Sequence, residues 1–93
     1  MEYAEVKEWL DKLVANIIET ESLYNFNEQI RVCRPGLTIH MFTGIDIVAD
    51  VMGLELREDY EEDKDFPYRY SFEYKGNKFI QIEEERLESF VHM

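Results

Sequence analysis

The hydrophobic residues of the first twenty positions recur at helical intervals. Steps of three and one separate the members of this stripe, which are Val6, Trp9, Leu10, Leu13, Val14, Ile17 and Ile18. Such spacing places them on one side of a helix and predicts an amphipathic α-helix from about Glu2 to Ser22. We expect this stripe to contribute Trp9, Leu13 and Ile17 to the core of the protein.

Residues 30–42, IRVCRPGLTIHMF, contain two short apolar stretches separated by Pro35 and Gly36. Pro-Gly is a turn signal, so the pattern predicts a β-hairpin. With an even-numbered loop, Val32 pairs with Ile39, and one face of the hairpin is apolar. That face consists of Ile30, Val32, Ile39 and Met41. The opposite face then holds Arg31, Cys33, Thr38 and His40.

The next segment, TGIDIVADVMGL, has the marks of a short helix. Thr43 is the expected N-cap, with Asp46 three residues later as a weaker form of the capping box. Gly53 is expected just beyond the last turn, in the left-handed conformation that glycine adopts at helix ends. The inward residues of this helix are Ile45, Val48, Ala49 and Met52.

Aromatic and polar residues alternate in a second hairpin, YRYSFEYKGNKFIQI, residues 68–82, with Gly76 in its turn. Two turn lengths are possible, and they bury different residues. A three-residue loop places Phe72 on the same face as Ile80 and Ile82, whereas a two-residue loop pairs Phe72 with Phe79. We prefer the three-residue loop, because it buries both isoleucines, and we expect Ile39, Phe72 and Ile80 in the core.

The order is therefore helix, hairpin, short helix, hairpin. Helices that cover one face of an antiparallel sheet bury these stripes economically, so the sequence predicts a single α+β domain over residues 1–93. The one cysteine, Cys33, excludes an internal disulfide. The segment MEYAEVKEWL lacks the basic flank and apolar stretch of a signal peptide, and we expect a cytoplasmic protein.

The charge restricts the partners. Twenty-one acidic and ten basic residues give a net charge of −11. Direct binding to nucleic acid is disfavoured, because affinity for phosphates depends on Lys and Arg, and an anionic membrane surface is disfavoured for the same reason. A protein partner, in particular a basic one, remains possible.

Acidic residues are concentrated in residues 55–65 and again in residues 83–88, on both sides of the second hairpin. The first run does not fit a calcium loop, since Lys64 and Tyr70 stand where an EF-hand starting at Asp59 needs Gly and Glu. We interpret the run as a solvated connection. Alternatively, both runs form one negative surface that mimics nucleic acid, with Glu58, Asp59, Glu61, Glu62, Glu84 and Glu85 as its binding residues.

Catalytic groups are scarce. Cys33 and His40 share the polar face of the first hairpin, but no third residue is specified to orient His40. Two histidines and one cysteine do not make a structural zinc site, and no glycine-rich phosphate loop is present. We therefore expect no enzyme, no cofactor and no metal, and Cys33 is better explained as a buried small hydrophobic residue.

These exclusions favour a noncatalytic protein-interaction module. Its best docking residues are the aromatic side chains that fall outside the inward pattern, namely Tyr60, Phe66 and Tyr74. The alternative is an acidic inhibitor that blocks a nucleic-acid-binding site on another protein. The two differ in salt dependence, since screening weakens exposed charges more than apolar contacts. A homodimer formed through an open sheet edge is a further possibility.

The segments IHMFTGIDIVADVMGLEL and FPYRYSFEYKGNKFIQI resemble small uncharacterised proteins carried by prophages and integrative elements of Gram-positive bacteria. The resemblance covers residues 30–82 and rests on the strand–helix–aromatic-hairpin pattern. It implies no activity and assigns no site residue. It does suggest a context, because compact acidic proteins on such elements often inhibit a host or competitor protein.

Overall fold

Two helices and five strands make up the described part of the chain, which comprises residues 2–18 and 23–88 of a computed structural model. The helices are α1 (Tyr3–Val14) and α2 (Ile45–Met52). The strands are β1 (Arg31–Arg34), β2 (Thr38–Thr43), β3 (Arg57–Tyr60), β4 (Tyr68–Tyr74) and β5 (Asn77–Glu83). All five strands form one sheet in the order β1-β2-β5-β4-β3. The predicted α+β class is confirmed.

The sheet is mixed, and the expectation of a purely antiparallel sheet is wrong. β2 lies parallel to β5, in a register that pairs Ile39 with Phe79 and His40 with Ile80. The other three strand pairs are antiparallel. β5, the last described strand in sequence, thus lies at the centre of the sheet, between β2 and β4.

Helix α1 is shorter than its hydrophobic stripe predicts. Asn16 has a positive φ of 62° and ends the helix in a left-handed conformation. The amide of Ile17 donates to the carbonyl of Lys12 and that of Asn16 to Leu13, which is the Schellman pattern. Ile17 is consequently 45% exposed, and its predicted place in the core is wrong. Residues 19–22 of the predicted helix lie outside the described residues.

The first hairpin has the predicted apolar face in a different register. Val32 pairs with Met41 and Arg34 with His40, because two irregularities interrupt the ladder between β1 and β2. The predicted pairing of Val32 with Ile39 is therefore wrong. A bulge adds a residue to one strand and can preserve the inward face while it shifts the partner. Accordingly Ile30, Val32, Ile39 and Met41 are all buried.

The N-cap of helix α2 is Gly44, so the prediction of Thr43 at this position is wrong. Gly44 has φ 95°, and a Cβ atom there would lie 2.4 Å from the carbonyl oxygen of Gln29 and 2.7 Å from Cα of Ile30. Only glycine permits this close approach between the helix start and the segment before β1. At the other end Gly53 has φ 67°, as the helix-end prediction requires.

The second hairpin has the two-residue loop, and the preference for three residues is wrong. Lys75 and Gly76 both have positive φ, 49° and 78°, as in the tight turns that match the twist of a hairpin. Phe72 consequently pairs with Phe79, and their rings stack at 4.7 Å between centroids. The face that packs against the helices receives Phe79 and Gln81; Ile80 is buried, as expected, but on the opposite face, and Ile82 is 48% exposed.

The burial of Gln81 has a structural reason. Its Oε1 accepts a 3.0 Å hydrogen bond from the amide of Ile45, one of the unpaired donors at the start of α2. Its Nε2 donates to Glu83 at 2.7 Å. Both polar groups of the Gln81 side chain are therefore hydrogen-bonded in the core, at a position where the hydrophobic pattern of the strand alone would have favoured an isoleucine.

Part of the acidic run is a strand. Residues 57–60 form β3, an edge strand paired with β4, and only residues 61–67 connect the two. The interpretation of the whole run as a connection is therefore wrong for these four residues. The composition Arg-Glu-Asp-Tyr suits an edge strand, since charged side chains discourage pairing with further strands.

Both helices pack on the same face of the sheet. The core cluster there includes Trp9 and Leu13 of α1, with Ile39 and Phe72 of the sheet, as predicted. Ile80, the remaining predicted core residue, is buried but does not belong to this cluster, because its side chain points to the opposite face.

Candidate functional site

The second face of the sheet carries no described helix, and we call it the open face. Its side chains alternate with those of the core along each strand. It is formed by Arg34, Thr38, His40, Phe42, Arg57, Asp59, Arg69, Ser71, Glu73, Lys78, Ile80 and Ile82. Five strands thus present a continuous surface that the fold itself does not use for its main core.

Apolar side chains are exposed at one end of the open face. Phe42 is 62% exposed, and Ile82 is 48% exposed. Each lies two residues beyond the paired His40 and Ile80 on adjacent parallel strands. Ile80 is only 8% exposed, so its side chain is buried next to these two exposed side chains.

Phe66 extends this apolar area from the loop before β4. It is 47% exposed, and it lines a surface depression of about 290 Å³ together with Pro67, Arg69 and Ile82. The predicted exposure of Phe66 is confirmed. Phe42 and Ile82 were not predicted on this surface, although the alternation through His40 and Ile80 locates them once the two-residue turn is chosen.

The open face also holds cations, and Glu55, Asp59 and Glu73 line the same depression as two of them, Arg57 and Lys78. Arg34, Arg57 and Lys78 form no ion pair with any described residue, and Arg69 pairs with Glu61 at 3.4 Å. At the β1 edge the guanidinium of Arg31 lies 5.9 Å from the ring centroid of Phe42, within reach of a cation–π interaction. Basic and acidic groups therefore both border the exposed apolar residues, since Glu61 and Asp65 line the depression at Phe66 and Ile82 together with Arg69.

The two acidic runs meet at one end of the sheet, as the sequence suggested. Tyr68 of β4 pairs on one side with Tyr60 and on the other with Glu83, so residues 61–67 and 84–88 start from neighbouring positions. Several acids there are exposed on the surface. They are Glu62, Asp63, Asp65, Glu84 and Glu85.

Glu58 is not part of that exposed acidic surface. It accepts hydrogen bonds from Tyr70 Oη at 2.7 Å and from Arg86 Nε at 3.0 Å. Burial opposes its ionisation, but these donors outweigh burial and lower the pKa of Glu58. The amide of Leu87 in turn donates to Tyr70 Oη at 2.8 Å. Through Arg86 and Tyr70, Glu58 therefore connects residues 86–87 to the sheet, and its contacts stabilise the fold.

The remaining acidic candidates differ in their surroundings. Asp59 is exposed on the open face, directly opposite Arg69. Glu61 is half-buried and forms the ion pair with Arg69. The structure thus brings Glu61, Glu62, Glu84 and Glu85 to one end of the sheet, while it separates Glu58 and Asp59 onto opposite faces.

The three aromatic candidates do not form one surface. Tyr60 is 59% exposed, but its ring packs at 5.0 Å from that of Tyr68, on the helix side of the sheet. Phe66 lies towards the open face. Tyr74 is buried, so the exposure that made it a docking candidate is wrong, and its hydroxyl donates to Asp11 at 2.6 Å.

Cys33 and His40 do not form a catalytic pair in the part of the chain that the structure describes. Cys33 lies at the irregularity of β1, and its Sγ donates to the carbonyl oxygen of His40 at 3.2 Å, not to the imidazole. His40 instead occupies the open face between Arg34 and Ile80. The Cys33 thiol and the His40 imidazole are therefore not hydrogen-bonded to each other, and Cys33 is exposed, so its expected burial is wrong.

Two further findings concern the described residues. No three of their His, Cys, Asp or Glu side chains come together in a way that could hold a metal ion. None of their helices is long and apolar enough to cross a membrane.

The chain matches no protein-family model, and neither a curated protein nor a solved structure is significantly similar to it.

Proposed function

We propose that this protein is a noncatalytic interaction module of the cytoplasm that docks another protein on its open face. The observation that supports this most is the exposure of Phe42, Ile82 and Phe66 on the one sheet face without a described helix. Contiguous apolar surface of this kind marks interaction sites in proteins that are otherwise well packed.

The surroundings of this apolar area fit a protein interface. Interfaces combine an apolar centre with a polar rim, and aromatic residues and arginine are enriched in them. Here Phe42 and Ile82 form the centre, while Arg31 and Arg69 adjoin them on either side. The docking hypothesis from the sequence was also based on exposed aromatic residues. Of the three aromatic residues that it named, only Phe66 lies on this surface.

The test is affinity capture from the organism that encodes the chain, with matched variants. Ile82→Ser removes the apolar side chain from the open face, and Phe42→Ala removes its neighbour. Leu37→Ser is the control, because Leu37 is the same size as Ile82 and is 97% exposed in the turn before β2, away from that face.

A partner that is retained by the wild type and by the Leu37 variant, but lost by the variants of Phe42 and Ile82, supports the proposal. The interaction should also persist at high ionic strength, because apolar contacts are not screened. A partner that all four proteins retain equally, or the absence of any partner, contradicts it.

The second candidate function is an acidic inhibitor of a nucleic-acid-binding protein. The meeting of the two acidic runs at one end of the sheet favours it, since it places Glu62 and Glu84 on one surface. In that case, charge reversal at Glu61 and Glu62 abolishes binding, and affinity falls steeply with added salt. Retention of the partner after charge reversal excludes this second function.

A further inference from the structure

Projecting and low side chains form two neighbouring rows across the strands of the open face. One row, which we call the ridge, contains Phe42, Ile82 and Arg69, from β2, β5 and β4. The next row, which we call the trough, contains His40, Ile80 and Ser71 on the same three strands. Phe42 and Ile82 are 62% and 48% exposed, whereas Ile80 and Ser71 are only 8% and 6% exposed. A projecting row therefore lies directly beside a low row.

A surface of this shape complements a second copy of itself. Neighbouring open-face residues are two positions apart along a strand, so about 6.6 Å separates the ridge from the trough. A two-fold axis that crosses the strands between two facing sheets, midway between these rows, would place the ridge of each copy over the trough of the other. Ile82 of one copy would then contact Ile80 of the other, and Phe42 would contact His40. In such a symmetric interface every contact occurs twice.

The β3 edge pairs opposite charges in the same arrangement. Asp59 continues the ridge, because it pairs with Arg69, and Arg57 continues the trough, because it pairs with Ser71. Both Asp59 and Arg57 are exposed, and neither forms an ion pair with another described residue. The two-fold axis would therefore place Asp59 of each copy over Arg57 of the other.

Like charges meet only at the rim of this arrangement. At the β1 edge, Arg31 of one copy would come near Arg34 of the other. Both arginines are exposed, and Glu28 lines a depression together with Arg31. Salt screens exposed charges over about 8–10 Å, so we expect this approach to cost less than the paired charges at the β3 edge contribute.

The open face and its borders have balanced charge. The depression at Arg57 and Lys78 is lined by three acids and two bases, that at Phe66 and Ile82 by two of each, and that at Arg31 by one of each. With Arg34, the described residues of this surface thus include six acids and six bases. The net charge of −11 is therefore carried by the rest of the chain. A second copy can approach here without the repulsion of the acidic remainder, whereas a strongly acidic or basic partner gains little attraction.

We propose that the open face docks onto the open face of a second copy of this chain, with the ridge of each copy seated in the trough of the other. This inference rests on the proposed function and names the partner of the same surface. Five strands about 4.8 Å apart, with three rows of side chains, give a contact of roughly 24 by 20 Å. About 500 Å² per copy is at the lower limit of specific interfaces, so we expect a dimer that dissociates in the micromolar range.

The experiment is sedimentation velocity of the purified chain over a concentration series at about 0.15 M salt, where repulsion between the acidic surfaces is screened. Asp59→Arg and Arg57→Asp should each weaken the dimer by about tenfold or more, because each change places like charges across the axis. An equimolar mixture of the two variants should restore dimerisation to within about threefold of the wild type. In the mixture the introduced arginine faces the introduced aspartate, and the native Arg57 faces the native Asp59.

Lys12→Glu is the matched control. It changes the net charge as Arg57→Asp does, but Lys12 lies on α1, away from the open face, so the dissociation constant should stay within about twofold. Thermal midpoints close to that of the wild type show that the variants are folded. In the capture experiment, the second copy appears as the untagged chain bound to the tagged one.

The outcomes separate the two proposals. A chain that stays monomeric at millimolar concentration overturns the dimer, and a different protein captured through Phe42 and Ile82 then leaves the docking function intact. A dimer that Phe42→Ala and Ile82→Ser do not weaken uses another surface and also overturns the inference. If those variants weaken the dimer but the mixture of charge variants does not restore it, the two-fold arrangement is wrong. Restoration by the mixture, with loss in the apolar variants, supports it.

Discussion

The hydroxyl of Tyr74 donates a 2.6 Å hydrogen bond to Oδ1 of Asp11, and this contact joins the end of β4 to helix α1. Lys7 and Lys75 each approach the same carboxylate at 2.9 Å. The Tyr74 hydrogen bond, followed by those of Lys7 and Lys75, holds the pKa of Asp11 well below its usual range. One carboxylate therefore connects residues that are 63 positions apart in the sequence.

Replacement of Asp11 by Asn tests this connection. The variant loses a charged acceptor, and hydrogen bonds to charged groups contribute about 1.5–3 kcal/mol in protected sites. Because Asp11 is partly exposed, we expect a loss of about 1 kcal/mol in the free energy of unfolding, measured by urea denaturation. Tyr74→Phe provides the other edge of a double-mutant cycle, and additive effects of the two changes would show that they do not interact.

The same carboxylate makes stability depend on pH in a defined direction. A lowered folded-state pKa stabilises the protein above the unfolded value of 3.8, and this stabilisation is lost as the pH falls towards the folded-state value. The difference in unfolding free energy between the wild type and Asp11→Asn should therefore be constant from about pH 5 to 7 and shrink below about pH 4. A difference that grows on acidification would contradict the assignment.

The raised pKa of Tyr70 predicts a loss of folding stability at alkaline pH. Burial and then the hydrogen bond to Glu58 raise the pKa of Tyr70 to about 12. Since the neutral form is favoured in the folded protein, its contribution to stability is complete below pH 10 and is lost as the pH rises towards 12. Tyrosinate absorbance should show a late step to which Tyr74 also contributes, since its pKa is likewise raised to about 12, so the step should be smaller in the Tyr70→Phe variant than in the wild type. A late step of unchanged amplitude in that variant would contradict the assignment to Tyr70.

Leu13 and Ile17 form a matched pair on one predicted stripe. Leu13 is buried, and its truncation to alanine should cost about 2–5 kcal/mol through lost burial and a residual cavity. Ile17 lies beyond the helix end and is exposed, so Ile17→Ala should cost less than about 1 kcal/mol. Equal thermal shifts for the two variants would contradict the early end of α1.

Gly44 and Gly53 make a second matched pair at the ends of α2. Both have positive φ, which costs a non-glycine residue about 1–2 kcal/mol, and Gly53→Ala should show only this strain because nothing lies within 4 Å of the added Cβ. Gly44→Ala must in addition displace the backbone of Gln29, so its thermal midpoint should fall clearly further. Similar midpoints would argue against the close approach.

The sequence predicts the elements of this fold better than their pairing. The stripe of α1 and the turn residues of both hairpins were readable, because helical periodicity and turn chemistry are local. The choice between loops at Gly76 was wrong because it depended on burying Ile80 and Ile82. The fold buries Gln81 and leaves Ile82 exposed, and the cost of burying Gln81 is offset by a hydrogen bond from an amide of α2 that no local pattern reveals.

The candidate site depended on the same error. With Ile82 assigned to the core, the apolar patch that it forms with Phe42 on the open face was not predicted, and the acidic runs were the candidate surface instead. The strand β3 was missed for a related reason, since an edge strand of charged residues shows no hydrophobic alternation. Which face of a sheet remains uncovered is a property of tertiary packing, and a single register shift of one residue reverses it.

The central position of β5 has a consequence for the order of folding. β5 is made after the other four strands, yet β2 and β4 both pair with it, so the sheet cannot close while β5 is still unmade. During synthesis β2 and the first hairpin must wait through about 40 residues for their second partner, a long loop closure that slows folding. Until then the edge of β2 is unpaired, and the nascent chain is most exposed to mispairing with other chains at that point.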